Sequence, residues 1–135
     1  MEKFIEYGKW AVSIIGTFLT FLFGDFNIAL QVLVVFMIIE LISGIAKACV
    51  LGKLNSNVSF KSTVVKKGCM LLVLIVAVML DRLLNTNNWM FRTLISFYLI
   101  STEGISILEN IGALGVPIPQ KLLNALEQLK EKDNE

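Results

Sequence analysis

Residues 26–50, FNIALQVLVVFMIIELISGIAKACV, decide the fold. The run is 25 residues long and carries only two charges, Glu40 and Lys47. That exceeds the roughly 20 residues a membrane-crossing helix needs. Upstream, Gly24 and Asp25 interrupt a shorter apolar run, Trp10–Phe23, of 14 residues. It spans only if Phe4 to Gly8 also enters and the side chains of Glu6 and Lys9 reach back to the headgroups. Downstream, Leu51 to Lys67 is polar, with Lys53, Lys61, Lys66, Lys67 and no acid, and reads as a basic loop. A third apolar run, Gly68–Leu80, lies between Lys66-Lys67 and Asp81-Arg82, and Asn85 to Asn88 is a turn by composition. A fourth run starts at Trp89, suited to an interface, and continues through Leu108 with Arg92 and Glu103 inside it.

Composition agrees with a membrane class. The 135 residues allow one domain, 56% are hydrophobic and the mean hydropathy is +0.74. Charged residues make up 17%, against roughly 25% in soluble domains, and they sit in blocks between the apolar runs. The expected fold is therefore an all-α integral membrane protein with three to four transmembrane helices. Candidate spans are 4–23, 26–50, 66–84 and 89–110 within a transmembrane domain 1–114, followed by a cytoplasmic amphipathic tail 115–135. In the tail, Gly112, Gly115, Pro117 and Pro119 break the preceding helix. Leu122, Leu126 and Leu129 then repeat at helical spacing among Lys121, Glu127, Lys130 and Glu131.

Several function classes drop out. The net charge is +1, so no field favours nucleic acid, and the absence of histidine removes the Ser-His and Cys-His catalytic arrangements and the commonest metal ligand. Neither an enzyme, a cofactor nor a metal is expected. Cys49 and Cys69 have no CxxC spacing and read as packing residues.

Lysines set the orientation. The segment between the second and third runs holds four of them, the first link none and the third link only Arg82, which places the lysine loop in the cytoplasm. With four spans both termini are cytoplasmic; with three, the N-terminus lies outside.

Charges inside apolar runs are expensive, at about 2.5 to 3.5 kcal/mol each near the bilayer centre, so their placement is informative. At about 100° per residue Arg92, Ser96, Glu103, Ser106 and Asn110 share a stripe about 80° wide on the fourth run. Glu40, Ser43, Gly44 and Lys47 share a stripe about 100° wide on the second, from which Gln31 points away. Glu40 and Glu103 fall at matching depths, about 21 Å from the outer end, and no cation of the third run is expected at that level. The stripes read either as a polar seam between helices or as the wetted wall of an oligomeric lesion, and Lys47 also as a residue reaching the inner headgroups. An ordinary interfacial position is expected for Asp81 and Arg92, an ion pair between them being the alternative. Gly16, Thr20 and Gly24 on the first run, and Gly44 with Ala48 on the second, form small-residue ladders that permit close helix contact.

These motifs resemble the phage-lysis and toxin-secretion holins of Gram-positive bacteria and their phages, from about Phe26 to Lys130. The acidic-x-x-Ser/Thr-Gly motif of that family is matched by Glu40-Leu41-Ile42-Ser43-Gly44, with Glu for the more usual Asp. Gly52-Lys53-Leu54-Asn55-Ser56 matches its Gly-Lys-Leu-x-Ser element, and Lys66, Lys67 and Asp81 its third segment. Glu103, Ser106, Glu109, Asn110, Gly115, Val116, Pro117 and Pro119 match its most specific block, with Thr102 where the family often has Asn. The first 24 residues carry little of the pattern.

The resemblance implies a multi-pass protein of the bacterial cytoplasmic membrane that forms homo-oligomers among lipid. Its lesions would release a peptidoglycan hydrolase (endolysin) or a toxin, with no direct contact to that cargo implied. Two other readings stand beside it: a small ion or proton channel or transporter subunit, and a membrane anchor for a cytosolic partner.

Overall fold

The computed structural model describes residues 1–52 and 56–131, without the side chains of 56–59 and 131. The described residues form five helices and no strand: α1 (Glu2–Phe23), α2 (Ile28–Val50), α3 (Ser56–Leu83), α4 (Met90–Ala113) and α5 (Gln120–Glu131).

Local chemistry sets the boundaries. Gly24 ends α1 at φ 76°, its N–H donating to the Thr20 carbonyl at 2.8 Å. The left-handed backbone favours glycine, and space demands it too: a Cβ there would lie 2.9 Å from Arg92 Nη1. The Asn27 side chain then caps α2 by accepting from the Leu30 N–H at 3.0 Å. Asn85 and Trp89 take positive φ in the α3–α4 turn, as the Asn-rich composition predicts. Gly115 and the two prolines separate α4 from α5.

The basic segment departs from expectation. Leu51 to Lys67 is not a loop throughout, because α3 begins at Ser56 and carries Lys61, Lys66 and Lys67. No Gly or Pro lies between Ser56 and Lys67, so the polar residues continue the helix instead of breaking it. Lys53 lies outside the described residues.

α4 occupies the middle of the bundle, packed against α2, α3 and α5, while α1 packs against α3. α2 and α4 run side by side in the same direction, with Asp25 beside Arg92 and Ser43 beside Asn110. α3 runs opposite to both, and α5 turns back along α4. The core is thin: Leu30, Leu33 and Met37 from α2, Leu74, Ala77 and Val78 from α3, and Leu99, Ile100 and Ile107 from α4.

Two helical stretches, Ile28–Val50 and Phe60–Leu83, are long and apolar enough to cross a membrane. Only 22% and 17% of their most apolar windows are buried, whereas the core helix of a soluble protein is mostly buried. Charged residues dilute the apolar length of α1 (Glu6, Lys9) and α4 (Arg92, Glu103, Glu109). The accessible surface is 9698 Å², against roughly 7,100 Å² for a soluble monomer of this mass. The excess suits a molecule whose apolar helix faces meet lipid.

Candidate functional site

The chemistry concentrates where α2, α3 and α4 meet. The Lys67 ammonium lies 2.8 Å from Glu40 Oε2 and 2.5 Å from Glu103 Oε2, tying three helices with one side chain. The two contacts differ in closeness and burial. Lys67 donates a hydrogen bond to Glu103, whose side chain is 5% exposed. Toward Glu40, whose side chain is 21% exposed, it makes the longer ion pair. Two carboxylates thus share one ammonium in a setting where isolated charges are costly.

This overturns the expectation that no cation of the third run reaches the level of Glu40 and Glu103. With α3 starting at Ser56, Lys67 stands eleven residues, about 16 Å, inside the helix. Its side chain is only 17% exposed. Lys61 and Lys66 stay on the exposed surface.

One turn or so along, the Asn110 amide donates to the Ser43 hydroxyl at 3.2 Å, and Ser43 donates to the Glu40 carbonyl at 3.0 Å. Asn110 lies against Gly44, where a Cβ would make ordinary contact with its amide nitrogen at 3.6 Å. Arg92, Ser96, Glu103 and Asn110 are all buried and Ser106 is half-buried. The α4 stripe therefore faces inward, against α2 and α3. Lys47 and Ala48 are half-buried and Gln31 is exposed. On α1, Thr20 bonds back to the Gly16 carbonyl, and a Cβ at Gly16 would meet nothing within 4 Å. Cys49 and Cys69 are free and exposed, not packed inside.

A second charged cluster closes the opposite end. The buried Asp81 carboxylate accepts from the backbone N–H groups of Phe91, at 3.1 Å, and Arg92, at 2.7 Å, and from the Thr86 hydroxyl. It caps α4 from across the turn, because Trp89 at the N-cap supplies no side-chain cap. The Arg92 guanidinium donates to the Asp25 carbonyl and stacks 5.5 Å from the Trp89 ring. Asp81 and Arg92 thus form no side-chain ion pair; both are buried and are answered by backbone groups instead.

α5 packs along α4. The Ser101 hydroxyl donates to the Leu126 carbonyl, the Lys130 ammonium lies 5.7 Å from the Tyr98 ring, and Gly104 gives the helices room to approach. A Cβ at Gly104 would come within 2.9 Å of both Leu126 methyls and 3.1 Å of Phe36. Leu122 is exposed, so Leu123, Leu126 and Leu129 form the packed side in place of the predicted Leu122, Leu126 and Leu129. Sequence reading missed Ser101 and Gly104. Both belong to the side of α4 turned away from the polar stripe, at about 180° and 120° from Arg92, and only the arrival of α5 gives that side a role.

Comparison with known proteins identifies the context. The bacteriophage holin family matches residues 17–131. A 14.9 kDa Clostridium perfringens protein, known as an uncharacterised product of the nagH 3' region, is 51% identical over 132 residues, covering 98% of this chain and 99% of its own. An uncharacterised Listeria monocytogenes protein, Lmo0128, is 33% identical across 100% of this chain and 93% of its own. A probable holin of Bacillus phage phi105 is 34% identical over 115 residues, 85% of this chain and 82% of its own. No solved structure matches. With apolar helices suited to lipid, and a family match over most of its length to membrane proteins that are not enzymes, the chain belongs to the bacteriophage holin family.

Proposed function

We propose that this protein accumulates in the bacterial cytoplasmic membrane, assembles with copies of itself and opens lesions through which a peptidoglycan hydrolase, or in other settings a toxin, crosses, so timing lysis of the cell. The family match over residues 17–131 carries this reading. α2 and α3 cross the bilayer, α4 crosses with its charges satisfied by its neighbours, and α1 either crosses or lies in the interface. The lysines near the α2–α3 turn face the cytoplasm.

In this reading the Glu40–Lys67–Glu103 contact makes the subunit soluble in lipid: it hides three charges among helices whose outer faces are apolar. For the α4 stripe to line water, α2, α3 and α4 would have to part. Glu40→Gln combined with Glu103→Gln is therefore expected to change the time of lysis, and unchanged timing and lesion formation would rule out a part for these carboxylates.

The deciding experiment is inducible expression beside a cytoplasmic peptidoglycan hydrolase that lacks an export signal, following membrane potential and turbidity together. Sudden depolarisation with lysis only when both proteins are present is the expected result; no depolarisation overturns the reading. The charged contact between three helices supports one other possibility, an ion or proton channel subunit. That function would give graded, ion-selective conductance without hydrolase-dependent lysis.

A further inference from the structure

We propose that the groove between α1 and the end of α3 binds one phospholipid, with its phosphate on the Arg82 guanidinium and an acyl chain along α1. The groove is open, has a volume of about 600 Å³ and is lined by Ser13, Gly16, Thr17, Thr20 and Phe21 of α1 and by Arg82 of α3. Arg82 stands at the Phe21 end, where it donates to the Phe21 carbonyl at 3.0 Å. It is also the last residue but one of the membrane-length stretch Phe60–Leu83. Whichever way that helix crosses, the guanidinium lies at the level of lipid headgroups.

No acid answers this cation. Among the described residues the ion pairs are those of Lys67, and the neighbouring Asp81 spends its carboxylate on Thr86 and on the amides of Phe91 and Arg92. Both hydrogen bonds that Arg82 makes to the protein leave from Nη2, so Nε and Nη1 keep N–H groups for an anion. The Phe21 and Trp89 rings, 5.2 and 5.4 Å away, hold the guanidinium in place. A phosphate oxygen is the acceptor that suits it, because charge-assisted bonds are the strong ones. Basic pockets beside membrane helices take lipid headgroups for the same reason.

Beyond the arginine the groove offers a polar ligand little. Thr17 and Thr20 give their hydroxyl protons to the Ser13 and Gly16 carbonyls, at 2.8 and 2.9 Å, which leaves the Ser13 hydroxyl at the far end. Gly16 adds no side chain, and a Cβ there would meet nothing within 4 Å. The occupant is therefore anionic at one end and apolar over the roughly 10 Å of helix from Thr20 back to Ser13. A phospholipid combines the two; inorganic phosphate lacks the chain and diacylglycerol lacks the charge. Since α1 has no buried residue, the acyl chain also covers a side of the helix that the protein leaves open.

Native mass spectrometry of the full-length protein in detergent, titrated with phosphatidylglycerol, tests this. The parent is expected to hold one lipid per subunit, and Arg82→Gln to bind it about tenfold more weakly. Because Arg82 also holds α1, Gly16→Leu provides a separate test. It keeps the guanidinium, favours the helix and puts a side chain into the groove where no protein atom stands in the way. This variant too is expected to bind about tenfold more weakly, with unchanged circular dichroism. Diacylglycerol should bind about tenfold more weakly to the parent, and inorganic phosphate at equal concentration should leave the lipid in place.

Parental affinity in Arg82→Gln or in Gly16→Leu overturns the proposal. So does displacement by inorganic phosphate, which would mean an anion site without a chain. Equal binding of diacylglycerol overturns it as well, because an apolar surface alone would then account for the lipid.

Discussion

The two ends of α4 deal with buried charge in opposite ways. At the end nearer the α2–α3 turn, Glu40, Lys67 and Glu103 answer one another side chain to side chain. At the other end, charge is absorbed by backbone: Asp81 by the amides that open α4, Arg92 by the carbonyl of Asp25. The first arrangement depends on three helices holding their register, the second on two turns. Contacts between long side chains from separate helices fix how α2, α3 and α4 lie together. Contacts to backbone fix where a helix begins.

The largest effect should follow from removing the cation that two carboxylates share. Lys67→Met leaves both without a partner and is expected to cost about 3–5 kcal/mol, read as lowered thermal stability of the detergent-solubilised protein. A loss below about 1 kcal/mol would mean that water already compensates the site, and the contrast between the ends would disappear. Reversal sharpens the test. Lys67→Glu combined with Glu103→Lys should recover more of the stability lost in Lys67→Glu alone than does the combination with Glu40→Lys, because Glu103 is the nearer and more deeply buried of the two carboxylates. Equal rescue would make the two carboxylates equivalent.

At the backbone end the expected loss is smaller. Asp81→Ala removes acceptors from the Phe91 and Arg92 amides and should cost about 2–3 kcal/mol, with Asp81→Asn losing roughly half because its amide oxygen still accepts. Hydrogen exchange provides the local readout: the amides of the first turn of α4 should exchange faster in Asp81→Ala, while those around Lys67 remain unchanged. Faster exchange throughout α4 would show that the two ends are coupled.

The fold was legible where one helix determined the outcome. The apolar length of α2, the breaks at Gly24 and Asn85, and the angular alignment of Arg92, Ser96, Glu103 and Asn110 all follow from the pattern along one segment. Across helices the reading failed. Lys67 reads as interfacial if the whole polar run is a loop, yet the part from Ser56 to Lys67 contains neither Gly nor Pro. Its pairing with Glu40 depends on the register between helices, which single-helix periodicity does not specify. Asp81 illustrates the same limit: an acid ten residues ahead of Phe91 becomes a helix cap only when the intervening turn folds back. The outward face of Leu122 likewise depends on how α5 lands on α4.

The smallest expected effect concerns α1, which has no buried residue and is held near its end by Arg82. That exposed guanidinium donates to the Phe21 carbonyl at 3.0 Å and lies 5.2 Å from the Phe21 ring and 5.4 Å from the Trp89 ring. Arg82→Gln gives up two cation–π contacts and weakens a carbonyl contact at an exposed site, for about 0.5–1 kcal/mol. Global stability should barely change, since α2, α3 and α4 keep their charged contacts. The position of α1 should change: a cysteine pair joining α1 to α3 near Phe21 and Arg82 should cross-link more slowly in Arg82→Gln than in the parent. If it instead links at the parental rate, apolar contact with α3 is enough to place α1, and backbone capture by arginine matters only where, as at Arg92, the guanidinium is buried.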